Sequence, residues 1–367
     1  MRIRNSIVHM FHALNNYADT QISWEPTCQP CAERYLNTTS RAADDAPGLS
    51  DVRAALERLR PYLIETPIHW WKGVGIAGLV GPETRIVAKL ELLQRSGSFK
   101  SRGVILNMLA LGADSLARGV TAVSSGNHAI AVAFAAREFG SSAKVVMLQS
   151  ANPARVDLCQ RLGGEILFAA DGASAFELAD QITANEGRTL IHPYEGTQTI
   201  LGAATLGLEF AQQAGPLDAV VIPIGGGGLC AGMAAAIKQA NPDCLVFGVE
   251  PTGADVMHRS FALGTPTQAG PVQTIADSLG APFTTPMSYG LCRRFVDELV
   301  LIEDDQIRSA MSLIFRELKL AVEPAAAVAT AALIAPLRSR LSGLRVGVVI
   351  CGTNIDFASY ATNLRNL

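Results

Sequence analysis

Ala219-Val220-Val221-Ile222-Pro223-Ile224-Gly225-Gly226-Gly227-Gly228-Leu229 is the stretch from which the fold can be read. An uncharged apolar run enters a row of glycines, and apolar residues at helical spacing follow as far as Gln239, so the stretch reads as strand, turn and helix. Residues without a Cβ let successive backbone N–H groups converge on an anion, and the helix adds its positive end, which makes a phosphate the natural guest. A dinucleotide fingerprint is the obvious rival. It fails because Gly-x-Gly-x-x-Gly spacing is missing and only Glu250 stands downstream as a loose ribose-binding acid. A plain glycine hinge is the remaining alternative, and the strand before and helix after argue against it.

The same alternation extends in both directions. Strands are predicted over 85–90, 120–123, 144–148, 165–168, 219–224, 245–249 and 346–350, with a short one at Leu190-Ile191. Helices are predicted over 51–63 (capped by Ser50), 103–111, 129–139, 153–162, 173–186, 201–213, 229–239, 304–318 and 324–337. Apolar strands alternating with helices imply an α/β fold of parallel sheets covered on both faces. Residues 1–46 differ: they lack periodicity and carry Pro26 and Pro30, and they read as an irregular leader that is mobile, packs on a partner subunit or contributes little. Cys28 and Cys31 form a lone Cys-x-x-Cys without two further ligands at zinc-site spacing, so they read as ordinary cysteines.

Composition sets the outer bounds. The chain of 367 residues is long enough for two domains; 49% of it is hydrophobic, 17% is charged and the net charge is -3, which excludes a nucleic-acid surface built on clustered Lys and Arg. No apolar run approaches the roughly 20 residues of a membrane span, and no secretory signal stands at the start, so a cytoplasmic protein with neither nucleic-acid nor membrane partners is expected. Seven cysteines, odd in number and spread thinly, argue against a disulfide framework.

Ser98-Phe99-Lys100-Ser101-Arg102-Gly103 places one lysine at a helix start, where positive charge is disfavoured and an amine loses its proton more easily. Such an amine suits a nucleophile that forms an imine, whereas a solvated surface position is what most lysines occupy. Three strands end in turns rich in small and polar residues: Ser124-Ser125-Gly126-Asn127-His128, the glycine run, and Cys351-Gly352-Thr353-Asn354. In open parallel sheets ligands gather at the carboxyl ends of strands, so these turns predict one cleft that Lys100 faces. A phosphate cradle with an activatable lysine points to pyridoxal 5'-phosphate, to whose ring hydroxyl Asn127 can donate and whose ring nitrogen Cys351 can meet, although an Asn in a turn more often serves backbone geometry and a strand-end Cys more often fills core.

In order and spacing these motifs resemble those of the serine/threonine dehydratases and serine racemases, fold-type II pyridoxal-phosphate enzymes, from about residue 50 to the end. The resemblance implies a tryptophan-synthase-beta-like architecture: a large cofactor-binding domain (47–118 and 194–367), a small mobile domain (119–193), and a homodimer. It implies that Lys100 carries the cofactor as an imine and moves the Cα proton, with Phe99 near the ring. It further implies that Gly225, Gly226, Gly227, Gly228 and Leu229 hold the phosphate, and that Ser124, Ser125, Gly126 and His128 take the substrate carboxylate. The implied reaction eliminates the β-hydroxyl of a small β-hydroxy amino acid of the L-threonine or L-serine type to give a 2-oxo acid and ammonia. A neutral thiol at the ring nitrogen suits elimination better than transamination.

Departures from the pattern leave alternatives open. Gly202-Ala203-Ala204-Thr205 replaces a glutamine-bearing motif, so the side-chain pocket is not legible, and 3-hydroxyaspartate or an aryl-serine stands equally as substrate. Ser125 matches the opposite-face acid/base of racemases, which keeps an amino-acid racemase as the alternative. Glu250 and the carbonyl of Ala254 match the ligand positions of metal-binding members only as weak candidates, because Val256 occupies the position expected to be acidic, with Asp255 one place early. Ala276-Asp277-Ser278 stands where some members carry Ala-Asp-Gly.

Overall fold

The computed structural model describes residues 46–365. In chain order its strands are β1 (Ile68–Trp71), β2 (Arg85–Lys89), β3 (Val120–Val123), β4 (Ala143–Leu148), β5 (Gly164–Ala169), β6 (Thr189–Leu190), β7 (Ala219–Pro223), β8 (Leu245–Pro251), β9 (Glu298–Ile302) and β10 (Arg345–Val349). The first ten helices are α1 (Leu49–Leu59), α2 (Val74–Val80), α3 (Lys100–Ala110), α4 (Ala113–Arg118), α5 (Asn127–Glu138), α6 (Pro153–Arg161), α7 (Gly172–Glu186), α8 (Thr197–Ala214), α9 (Gly228–Ala240) and α10 (Val256–Leu263). Helices α11 (Pro286–Phe295), α12 (Asp304–Leu318), α13 (Pro324–Ile334) and α14 (Phe357–Arg365) complete the order.

The strands form two sheets. The larger runs β1-β2-β10-β7-β8-β9 and the smaller β5-β4-β3-β6. Every pairing is parallel except β1 with β2, where Ile68 faces Lys89. Both sheets are apolar because helices cover both faces: β7 and its glycine-turn helix α9 are buried along almost their whole length. The hydrophobic cores do not divide as cleanly as the sheets, since Val104 and Met108 of α3 pack in one cluster with Ala129 and Val132 beside the smaller sheet.

Several expected boundaries shift for local reasons. Ser50 lies inside α1 and caps nothing; the N–H of Val52 bonds the Gly48 carbonyl at 3.0 Å instead. Helix α3 starts at Lys100 itself and α5 at Asn127, each a few residues before the apolar periodicity begins. Strands β1 and β9 and the short helices α2, α4, α10, α11 and α14 escaped the sequence reading because they are brief. Gly202 on α8 has a packing reason: a Cβ there would stand 2.4 Å from the Gly103 Cα, so the backbones of α3 and α8 touch.

Beneath α3 lies a buried ionic network. The Arg102 guanidinium bonds Glu91 at 2.8 and 2.9 Å and Glu209 at 2.8 and 3.0 Å, while the Lys89 ammonium bonds Glu209 at 2.5 Å and the Thr66 carbonyl at 2.6 Å. Burial works against the Glu91 carboxylate, yet the Arg102 charge and hydrogen bonds hold its pKa below the ordinary value. The two cations and two carboxylates balance, so removing one member strands a charge. Arg102→Met is expected to cost about 3–5 kcal/mol by urea unfolding, with Arg102→Lys recovering only part because an ammonium cannot fork to both acids.

Candidate active site

A short antiparallel bridge between Ser98 and Gly352 joins the lysine stretch to the end of β10. Phe99 N–H donates to the Cys351 carbonyl at 3.1 Å and Thr353 N–H to the Gly97 carbonyl at 2.9 Å. Gly97 sits at φ +74°, where a Cβ would lie 2.4 Å from Asn354 Oδ1, so only glycine allows this seam. The seam puts Lys100 at the first residue of α3, as the helix-start reading expected, and beside Cys351.

A single cavity of about 290 Å3 gathers Phe99, Lys100, Ser124, Ser125, Gly126, Asn127, His128, Gly225, Gly226, Gly227, Gly228, Leu229 and Cys351. All the sequence-derived cofactor and substrate residues are therefore among its lining. The weak metal candidates are elsewhere: Glu250 spends its carboxylate on the first-turn N–H groups of α10, from Met257 at 2.8 Å and His258 at 2.7 Å, and neither it nor Ala254 lines the cavity. Among the described residues no group of three or more His, Cys, Asp or Glu side chains could hold a metal ion.

The protonation states in the cavity follow from burial. Burial lowers the Lys100 amine to about 8, with Cys351 and Glu323 opposing the shift, and Nζ donates to the Pro193 carbonyl at 2.5 Å. Burial first and the Lys100 charge second push His128 down to about 3, so its imidazole is neutral at pH 7; Nε2 donates to the Ile191 carbonyl at 2.8 Å. Its Nδ1 has no hydrogen-bond partner among the described residues. Burial, reinforced by Glu323, also pushes the Cys351 thiol well above its ordinary value and keeps it neutral.

Asn127 is oriented on both sides. Its Nδ2 donates to Glu323 at 2.5 Å and its Oδ1 accepts from Asn354 Nδ2 at 2.7 Å, which leaves one N–H of the amide for a guest. Ser124 Oγ accepts the Gly126 N–H at 3.1 Å, and Ser125 Oγ accepts the Leu148 N–H at 3.0 Å. Gly227, at φ +103°, opens α9, whose first-turn N–H groups have no partner within their own helix. Cβ atoms on Gly226 and Gly228 would meet Tyr194 at 2.4 and 2.9 Å, so the glycines also let that residue pack against the turn.

The sequence reading missed Glu323, Arg155, Tyr194 and Phe176, which line the same cavity. Glu323 looked like no more than the residue before a helix-opening proline, and burial raises its carboxyl to about 7 against the pull of Arg155. Arg155 bonds Asp277 at 2.5 and 3.2 Å and the Asn354 carbonyl at 3.0 Å, contacts between distant segments that no local pattern announces.

A buried amine of lowered pKa, a neutral thiol, an amide with a spare donor and a glycine-lined helix start form a donor set that fits a phosphate-bearing carbonyl cofactor. Such a site on two parallel sheets defines a lysine-dependent α/β enzyme. The family described as "Pyridoxal-phosphate dependent enzyme" matches residues 59–352, and the chain belongs to it; its cofactor is pyridoxal 5'-phosphate. The chain is 52% identical over 318 residues to a phenylserine dehydratase of Ralstonia pickettii, covering 87% of this chain and 96% of that protein. It is 32% identical to an L-threonine ammonia-lyase of Thermotoga maritima, over 84% of this chain and 76% of that one. The solved structure of maize serine racemase superposes with a TM-score of 0.82 at 32% identity, covering 88% of this chain and 98% of that chain.

With the amine at about 8, labelling of Lys100 in cofactor-free protein by an amine-directed reagent is expected to rise to half its limit near pH 8. Peptide mapping across a pH series checks this, and a midpoint near the ordinary lysine value would contradict it.

Proposed function

We propose that the protein is a lyase that converts a β-hydroxy amino acid to the corresponding 2-oxo acid and ammonia. Overall, the β-hydroxyl leaves as water, the released enamine tautomerises, and one water is consumed as ammonia departs. The observation that carries this reading is the meeting of Lys100, Asn127, Cys351 and the glycine turn in one cavity.

Lys100, Asn127, Cys351 and Gly225 to Leu229 would hold the cofactor. Bound pyridoxal phosphate supplies an electron-withdrawing ring that stabilises negative charge on the substrate Cα. The Lys100 amine, neutral in a substantial fraction near pH 8, takes the Cα proton. The turn from Ser124 to His128 opens α5, and its first-turn N–H groups with the serine hydroxyls suit the substrate carboxylate. Neutral His128, with its Nε2–H committed to the Ile191 carbonyl, offers the carboxylate neither a cation nor a side-chain donor, so its part there is its backbone N–H in the first turn of α5. The neutral thiol of Cys351 would offer the bound ring a donor without a compensating negative charge, which suits loss of the β-hydroxyl. The segment 119–193, built on the smaller sheet, forms the small domain of this reading and supplies the cavity wall that carries Ser124 to His128.

An aryl-serine is the substrate type that the lining suits, since Phe176, Tyr194, Val123 and Ala281 join one apolar cluster at the cavity. The phenylserine dehydratase relative supports the same reading. Racemisation needs Ser125 to exchange a proton on the opposite face; its Oγ accepts the Leu148 N–H and has no side-chain base bonded to it among the described residues. A homodimer in the cytoplasm belongs to this reading: Phe357, 85% exposed, offers apolar surface, and Cys159, Cys230, Cys244, Cys292 and Cys351 are free thiols. Among the described residues no helix is long and apolar enough to cross a membrane.

The test is 2-oxo acid release by cofactor-loaded protein from L-threo-phenylserine, L-threonine and L-threo-3-hydroxyaspartate. Lys100→Ala is expected to lower release by about 10^3-fold or more. Inversion at Cα without oxo acid would move the assignment to a racemase.

A further inference from the structure

The chemistry of the cavity wall is uneven. Phe176 and Tyr194 line it, and Phe283 backs both, with ring centroids 6.0 Å from Phe176 and 6.1 Å from Tyr194. Val123 and Ala281 extend the same apolar cluster along the wall. The Arg155 side chain also lines the cavity but is committed to Asp277 at 2.5 Å and to the Asn354 carbonyl at 3.0 Å. A substrate with a second carboxylate would therefore find the side-chain patch apolar and the guanidinium already neutralised. A methyl group would cover little of the patch, whereas a planar ring can pack against it.

Phe176 comes from α7 of the smaller-sheet segment, while Tyr194, Ala281 and Phe283 belong to the other side of the cleft. It is the aromatic ring that the smaller segment supplies to this cluster. We propose that Phe176 is the residue that determines specificity for an aryl group on the substrate Cβ, by closing the apolar patch from the smaller-sheet side. This rests on the lyase reading above. The carboxylate turn and Lys100 treat every α-amino acid alike, so discrimination falls to the wall that meets the side chain. Losing one such apolar contact surface lowers discrimination by about 10–100-fold.

The experiment compares cofactor-loaded wild type with Phe176→Ala and Phe176→Arg. Phe176→Ala is expected to lower kcat/KM for L-threo-phenylserine by about 10–100-fold and to leave L-threonine within about threefold. L-phenylalanine, which has the ring but no β-hydroxyl to lose, gives a readout apart from turnover: its binding relative to L-alanine, followed by the cofactor absorbance, is expected to fall about tenfold or more in Phe176→Ala. Phe176→Arg presents a fork to a β-carboxylate and is expected to raise the ratio of L-threo-3-hydroxyaspartate to phenylserine turnover at least about tenfold. Equal losses for threonine and phenylserine, with unchanged phenylalanine-to-alanine binding, would assign Phe176 a merely structural part and overturn the proposal while leaving the lyase standing. Should Phe176→Arg lose its cofactor band, Phe176→Ala and the binding ratio decide alone. Wild-type protein that releases oxo acid from none of the three substrates would overturn the lyase reading and this proposal together.

Discussion

The bridge between Ser98 and Gly352 is the contact on which the site depends, because it fastens the segment carrying Lys100 to the end of a central strand. The two backbone bonds across it, 3.1 and 2.9 Å long, leave Lys100 and Cys351 side by side, although about 250 residues of chain separate them. Asn354 extends the seam by donating from one nitrogen to the Ser96 carbonyl and to Asn127, so the third motif is locked to the first two. A site held by backbone bonds and a buried amide has little freedom to drift, which is what a catalyst of fixed geometry requires.

Burial does opposite electrostatic work a few residues apart. Under α3 Arg102, Lys89, Glu91 and Glu209 all pair, so Glu91 stays ionised although burial still holds the Lys89 amine below its ordinary value, and the helix start that presents Lys100 rests on an ionic floor. In the cavity burial is left uncompensated, so Lys100 falls to about 8, His128 to about 3, and the Cys351 thiol rises. Paired charges give the floor its order, and burial against neutral partners gives the site a readily deprotonated amine, a neutral imidazole and a neutral thiol. The same low dielectric produces both outcomes, and the difference lies in whether directly bonded opposite charges outweigh the burial penalty, as they do at Glu91 and do not at Lys100 or Glu323.

Helix crossings set the shape around these groups. Gly103 and Gly202 bring α3 and α8 into backbone contact, and the glycine turn before α9 admits Tyr194 against its backbone. An aromatic cluster built from both sheet segments, Phe176 with Tyr194 and Phe283, stands at the cavity wall.

The sequence by itself determined the alternation of strands and helices, since apolar runs of period two or none and helices of period 3.6 are local properties. It also exposed Lys100, the Ser124 to His128 turn, the glycine run and Cys351, because strand-end turns of small polar residues stand out against apolar strands. Tertiary structure alone decided the antiparallel edge strand β1, the sheet order, and the true starts of α1 and α3. It alone brought in Glu323, Arg155 and Phe176, whose neighbours in sequence carry no pattern related to the site. Glu323 is one turn-opening residue before a proline until folding places it against Asn127, and Phe176 is one apolar position of a helix until folding sets it at the cavity. Such residues act through contacts across tens to hundreds of positions, and local periodicity holds no record of those distances.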